Sequence, residues 1–337
     1  MFYDMRILRG GLAGVLAVSA AAAPLEFKTG DRVALVGNTV IERAQRFGHV
    51  ETILSLGAGE AAEGVIFRNL GWSGDSVFGD ARSYFGPPRE GRDRLKKVMG
   101  EVRPTVLLVC YGTNAAMTAT KGWTDDSAVA ARSKGGDEKS LALFLEGYGK
   151  LLDLMKEGGG ESLREIVLVA PPPLETLPPP LPDQTGNNRR LAGYRDAIRD
   201  LAEARGHRFV DLFGAMGGDR IEPGKVAEAP LTHNGVHYGD AGYSVMAEAL
   251  GKELGLKLPD NLSANDPVVV ALRKAIMEKN RLFFHRWRPA NETYLFLFRK
   301  HEQGNNAREI PMFDPLIEAE EEKINGLRAE VFKKRKQ

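Results

Sequence analysis

Thr105–Tyr111 reads Thr-Val-Leu-Leu-Val-Cys-Tyr, and Gly112-Thr113-Asn114 follows at once. A nearly continuous apolar run with β-branched members is what a strand covered on both faces needs. Four other runs share the character: Arg32–Val36 (RVALV), Val65–Leu70 (VIFRNL), Ile166–Ala170 (IVLVA) and Arg208–Leu212 (RFVDL). Between them lie stretches with apolar residues at helical spacing, Arg92–Val102, Leu141–Lys156, Asn187–Arg205 and Asp240–Leu254. Strand and helix alternate. The sequence therefore predicts an α/β fold, a three-layer α/β/α sandwich around a five-stranded parallel sheet. Ligands of such sheets bind outside the carboxyl ends of the strands, so the residues after each strand are the first candidates for a site.

The totals exclude several classes of partner. The chain has 337 residues, 43% of them apolar and 27% charged, with a formal net charge of +1. No basic field argues for nucleic acid and no acidic tail for disorder. Cys110 is the only cysteine, which excludes an internal disulfide and a multi-cysteine metal site. It lies inside an apolar run and reads as a small core residue. His233 and His237 stand four apart, a spacing used by helical metal sites. Asn234-Gly235 between them argues for a turn instead, and no third ligand is evident. No metal or cofactor is expected.

Three segments are expected. Residues 1–23 have the order of an export signal: Arg6 and Arg9, an apolar stretch, then Ala21-Ala22-Ala23 before Pro24. That places the body, 24–258, in a secreted or periplasmic setting; the other reading is an uncleaved N-terminal anchor. Composition shifts near Ser263, and 265–337 is expected to be a mainly helical extension. It would pack on the core or, as an assembly element, on a second subunit. Its patch Phe283-Phe284-His285-Arg286-Trp287-Arg288 reads as docking surface or as a wall of the cleft. Two inserts, Ala115–Lys139 and the stiff Pro171–Pro182 (PPPLETLPPPLP), leave the carboxyl side of a strand and are placed to border a cleft.

One polar cluster follows each of four strands: Gly37-Asn38-Thr39, Gly71-Trp72-Ser73-Gly74-Asp75, Gly112-Thr113-Asn114 and Asn234-Gly235-Val236-His237. A hydroxyl comes first, then Gly-rich backbone donors, a side-chain amide and a histidine. That set suits acyl transfer. The four blocks resemble those of the SGNH (GDSL-like) hydrolases over roughly Asp31–Leu254, and in particular a secreted planctomycete-type branch of that family. The resemblance implies a flavodoxin-like SGNH hydrolase fold and ester hydrolysis. Thr39 would hold the place of the nucleophilic serine, and His237 that of the base, with Asn234 in the place of the aspartate. Thr39 N–H, Gly74 N–H and the Asn114 side chain would form the oxyanion hole. Asn38, Trp72, Asp75, Thr113 and His233 are the candidate cleft residues. The implied partner is a small ester or an acylated carbohydrate.

Two departures from the family pattern bear on rate. The Thr39 methyl restricts χ1 and crowds the attack path. Asn234 can orient His237 through its amide oxygen but cannot stabilise an imidazolium by charge. Asp75, Asp211 and Asp240 are the carboxylates considered as substitutes. Taken singly, Thr39 is also a helix cap, Gly71 and Gly74 are turn glycines, and Asn114 is a turn residue. The alternative function is a degenerate member that binds a glycan or ester without hydrolysing it.

Overall fold

The computed structural model describes residues 23–117 and 136–335. The expected export signal lies outside these residues, apart from Ala23, as does most of the first insert. Five parallel strands, β1 (Arg32–Gly37), β2 (Ile66–Asn69), β3 (Val106–Cys110), β4 (Glu165–Val169) and β5 (Arg208–Val210), form one sheet. Their order is β2-β1-β3-β4-β5. The chain reverses its direction of travel across the sheet between β1 and β3, which opens a crevice at their carboxyl ends.

Alternation along the strands sends one set of side chains to each face. Val33, Leu35, Val106, Leu108 and Cys110 pack with α1 (Thr39–Ala44), α2 (His49–Gly57) and α8 (Asp240–Glu253). Ala34, Val36, Leu107 and Val109 pack with α3 (Pro88–Val102), α5 (Gly136–Gly159) and α6 (Thr185–Ala204). Two short helices, α4 (Thr113–Met117) and α7 (Leu212–Ala215), lead directly off β3 and β5. The Cys110 thiol is fully buried, and burial pushes its pKa up to about 12, as an inert core residue requires.

The C-terminal region is helical. It contains α9 (Pro267–Trp287), α10 (Glu292–Leu295), α11 (Lys300–Gln303) and α12 (Asp314–Arg335). It lies against the sandwich: Val268, Leu272 and Ile276 of α9 and Ile324 and Val331 of α12 share a core with Leu56 of α2. The aromatic-basic patch is the last turn of α9. Trp287 packs edge-on against Trp72, their centroids 5.7 Å apart. Among the described residues no helix is long and apolar enough to cross a membrane.

Candidate active site

The carboxyl end of β1 runs through Gly37 into α1. Asn38 is the N-cap, its Oδ1 accepting from Val40 N–H at 3.2 Å. Thr39 is thus the first helical residue and not the cap. Its hydroxyl is turned to the next loop, where Oγ1 accepts from Gly74 N–H at 3.2 Å. A donor aimed at this oxygen favours its alkoxide form. Gly74 has φ +79°, a conformation that L side chains avoid. A Cβ there would meet nothing nearer than Ala81 Cβ at 4.0 Å. Within the protein, the glycine is needed for its backbone angle and not to avoid a clash.

Asn114 follows β3 on α4. Its Nδ2 donates to Asp75 O at 2.9 Å and its Oδ1 accepts from Ala115 N–H at 3.1 Å, so the amide orientation is fixed. His237 is carried by a tight hairpin in which Thr232 pairs with Tyr238 and His233 N–H donates to His237 O at 2.9 Å. Its turn is the expected Asn234-Gly235, with Gly235 at φ +83°. The Glu175 carboxylate, from the Pro-rich insert, accepts from the N–H groups of Leu231 and Thr232 and anchors the base of the hairpin.

These elements converge. Thr39, Gly74, Asn114 and His237 line one pocket of about 80 Å³, together with Asn38, Thr113, Arg43 and Met117. Val40, Val236, Tyr238 and Tyr243 complete the lining. Thr39 and Arg43, four apart on α1, share a helix face. Among the described residues Arg43 has no carboxylate partner, and its Nε is buried without a hydrogen bond, as is Thr113 Oγ1.

Several expected residues lie elsewhere. Asp75 is fully buried beneath the pocket, where Arg82 Nε (2.6 Å) and Tyr111 OH (2.7 Å) hold its carboxylate; it is scaffold for the second loop. Trp72 is buried under Arg288, whose guanidinium lies 3.6 Å from the ring centroid. His233 is exposed and leans over Gly239, not over the pocket. None of the three lines the pocket. Nor, among the described residues, does a carboxylate support His237. Asp211 caps α7 and pairs with Arg195, while Asp240 pairs with His49 and Arg273.

Asn234 meets His237 in the opposite sense to that expected. Its Oδ1 accepts from His237 N–H (2.9 Å) and Val236 N–H (3.2 Å). Backbone N–H groups only donate, so the oxygen is assigned by them, and Nδ2 is the atom 3.2 Å from His237 Nδ1. An amide nitrogen there donates. Nδ1 then accepts, and the neutral ring carries its proton on Nε2. Among the described residues no hydrogen bond joins Thr39 Oγ1 to the ring. Burial, then the charges of Arg43 and His233, hold the His237 pKa below its ordinary value.

Sequence patterns gave no sign of Arg43, since a lone arginine on a short helix reads as solvated surface. Glu175 was hidden inside a proline run.

The family model for the GDSL-like lipase/acylhydrolase family matches residues 37–245, well over half the chain. No curated protein matches the sequence. Among solved structures, BT4096, a gut microbial diltiazem-metabolizing enzyme, is similar with a TM-score of 0.59 at 13% identity, covering 92% of this chain and 96% of that one. Axe2, an acetylxylan esterase from Geobacillus stearothermophilus, gives a TM-score of 0.47 at 17% identity, covering 69% of this chain and 98% of its own. The likeness to BT4096 is one of fold, and its extent exceeds what residues 24–258 alone could supply. The matched segment begins at the glycine before Asn38-Thr39 and ends beyond His237, so it holds all four polar blocks: the chain belongs to the GDSL-like lipase/acylhydrolase family.

Proposed function

We propose that this chain is an ester hydrolase for short O-acyl groups of acetyl size, carried on carbohydrate or other small alcohols, with Thr39 as nucleophile and His237 as base. The observation that carries it is the convergence of Thr39, Gly74, Asn114 and His237 on one pocket of about 80 Å³. A cavity of that size suits a small acyl group. The order of residues 1–23 supports action outside the cytoplasm.

In this mechanism Thr39 Oγ1 attacks the ester carbonyl while its proton passes to His237. Charge builds on the carbonyl oxygen. Thr39 N–H, Gly74 N–H and Asn114 Nδ2 are the donors placed to receive it, each worth about 2.7–4 kcal/mol of barrier. The alcohol leaves with the proton from His237, and water then releases the acyl group by the same steps.

His237 must accept through Nε2, which in the resting site is protonated. Turnover therefore waits on a turn of the Asn234 amide, at the loss of its bonds to Val236 and His237 N–H. Slow hydrolysis is the expected outcome. Thr39→Ala and His237→Ala should each abolish turnover of 4-nitrophenyl acetate, and full activity in Thr39→Ala would overturn the assignment. The same amide favours a second reading, a site that binds an ester without turning it over. Turnover that disappears in His237→Ala excludes that reading.

A further inference from the structure

We propose that the pocket selects esters carrying a negatively charged group, and that Arg43 is the residue that recognises it. The inference deepens the function proposed above and rests on it for the word ester; the anion site itself does not.

Among the described residues Arg43 is the only side chain lining the pocket that is charged irrespective of pH near neutrality; the others are neutral side chains and His237, whose pKa lies below its ordinary value. Among the described residues its guanidinium makes no ion pair and no hydrogen bond, and its Nε is shut off from solvent. A buried guanidinium nitrogen without an acceptor is costly and calls for a partner. The nearby carboxylates are committed elsewhere. Glu42, its neighbour on α1, is held by Arg288 and Ser73, and Asp75 by Arg82 and Tyr111.

Thr113 Oγ1 is a second buried atom on the same wall without a partner. It can donate to an anion as Arg43 can. Arg43 and Thr113 both line this cavity, each holds a polar atom without a hydrogen-bond partner, and among the described residues the lining contains no carboxylate. A planar carboxylate suits a guanidinium, which offers parallel N–H groups. Sulfate offers the same chemistry. With Thr39 four residues back on the same helix face, the charged group would sit one helical turn from the reacting carbonyl.

The test uses the intact chain and a matched pair of esters, 4-acetoxybenzoate and its methyl ester, which share the acyl group and differ in one charge. The ratio of their kcat/KM values is compared between wild type and Arg43→Met, so that the intrinsic reactivity of the two esters cancels. A lost charge-assisted bond predicts a fall in this ratio of about 10- to 100-fold, with partial retention in Arg43→Lys. Arg43→Gln replaces the methionine variant should that one not fold. Binding of 4-hydroxybenzoate and its methyl ester, followed by ligand-observed NMR, gives a readout independent of turnover. Anion binding that depends on Arg43 in a protein that hydrolyses neither ester would uphold the anion site and end the hydrolase assignment. Hydrolysis of both esters at a ratio, and binding of both phenols, indifferent to Arg43 would do the reverse.

Discussion

Asn234 commits its amide oxygen to two backbone N–H groups, and only its nitrogen is left for the imidazole 3.2 Å away. An aspartate at this position would keep one oxygen on those N–H groups and offer the other to Nδ1. It would require a proton on Nδ1, free Nε2 to accept, and stabilise the imidazolium. Exchange of carboxylate for amide beside a catalytic histidine costs about 10⁴ in rate by selecting the wrong tautomer. Asn234→Asp should recover part of this, with kcat/KM for an aryl acetate rising by about 10²-fold or more. The pH profile gives the sign independently. In the wild type burial, Arg43 and His233 depress the His237 pKa below 6.5, so the neutral base persists as pH falls past 6.5 and activity is lost only through the lower, folded value. A carboxylate at 234 moves that limb upward. Nitrogen shifts of His237 showing a proton on Nδ1 in the wild type would overturn the account.

At the scale of elements, the loop bearing Gly74 is held from two sides. Beneath it lies the Asp75–Arg82 pair. Beside it Glu42 accepts from Ser73 N–H (2.8 Å) and Ser73 Oγ (2.7 Å) and is itself paired with Arg288 at 2.5 Å. The end of α9 thus reaches the Gly74 loop through one carboxylate. Burial raises the Glu42 pKa, but the Ser73 bonds and the Arg288 charge outweigh it and leave the carboxyl below its ordinary 4.5. Its contribution to stability is present above 4.5 and disappears as pH falls through the folded value. Arg288→Ala should cost roughly 1–3 kcal/mol at neutral pH, since the pair is only partly screened, and the deficit against wild type should shrink in acid. A matching fall in kcat would separate a loosened Gly74 from a merely weakened fold; unchanged kcat would count against the coupling. The same elements explain what the sequence could and could not disclose. The strands stood out within one or two residues because both of their faces are apolar. Helix α2 did not, because its buried face includes Glu51, Thr52 and Ser55, which mask the helical period. Thr39, Gly74 and Asn114 were legible as residues following strands in order, and His237 by the Asn-Gly turn ahead of α8. Trp72 and Asp75 were misplaced because a turn sends adjacent side chains in opposite directions, which spacing does not record.

Over the whole molecule, the C-terminal helices are joined to the sandwich by charge as well as by apolar packing. Lys279 of α9 is fully buried, with Nζ 2.7 Å from the Glu51 carboxylate and 2.9 Å from Phe67 O and Asn280 Oδ1. Arg328 of α12 donates to the carbonyls of Ser55, Gly59 and Ala62. These contacts unite α2, β2, α9 and α12 in one network, so the core and the C-terminal helices should unfold in a single transition. Lys279→Ala removes the cation and leaves Glu51 charged in the interior, at a cost of about 3–5 kcal/mol. Replacing both partners by apolar residues, Lys279→Met with Glu51→Leu, removes the stranded charge and should regain much of that loss, because a desolvated pair offers little net stability over good packing. Denaturant unfolding of the two variants decides the matter. A single variant as stable as wild type would mean that water reaches Glu51, and two separate transitions in the wild type would mean that the C-terminal helices are an independent unit.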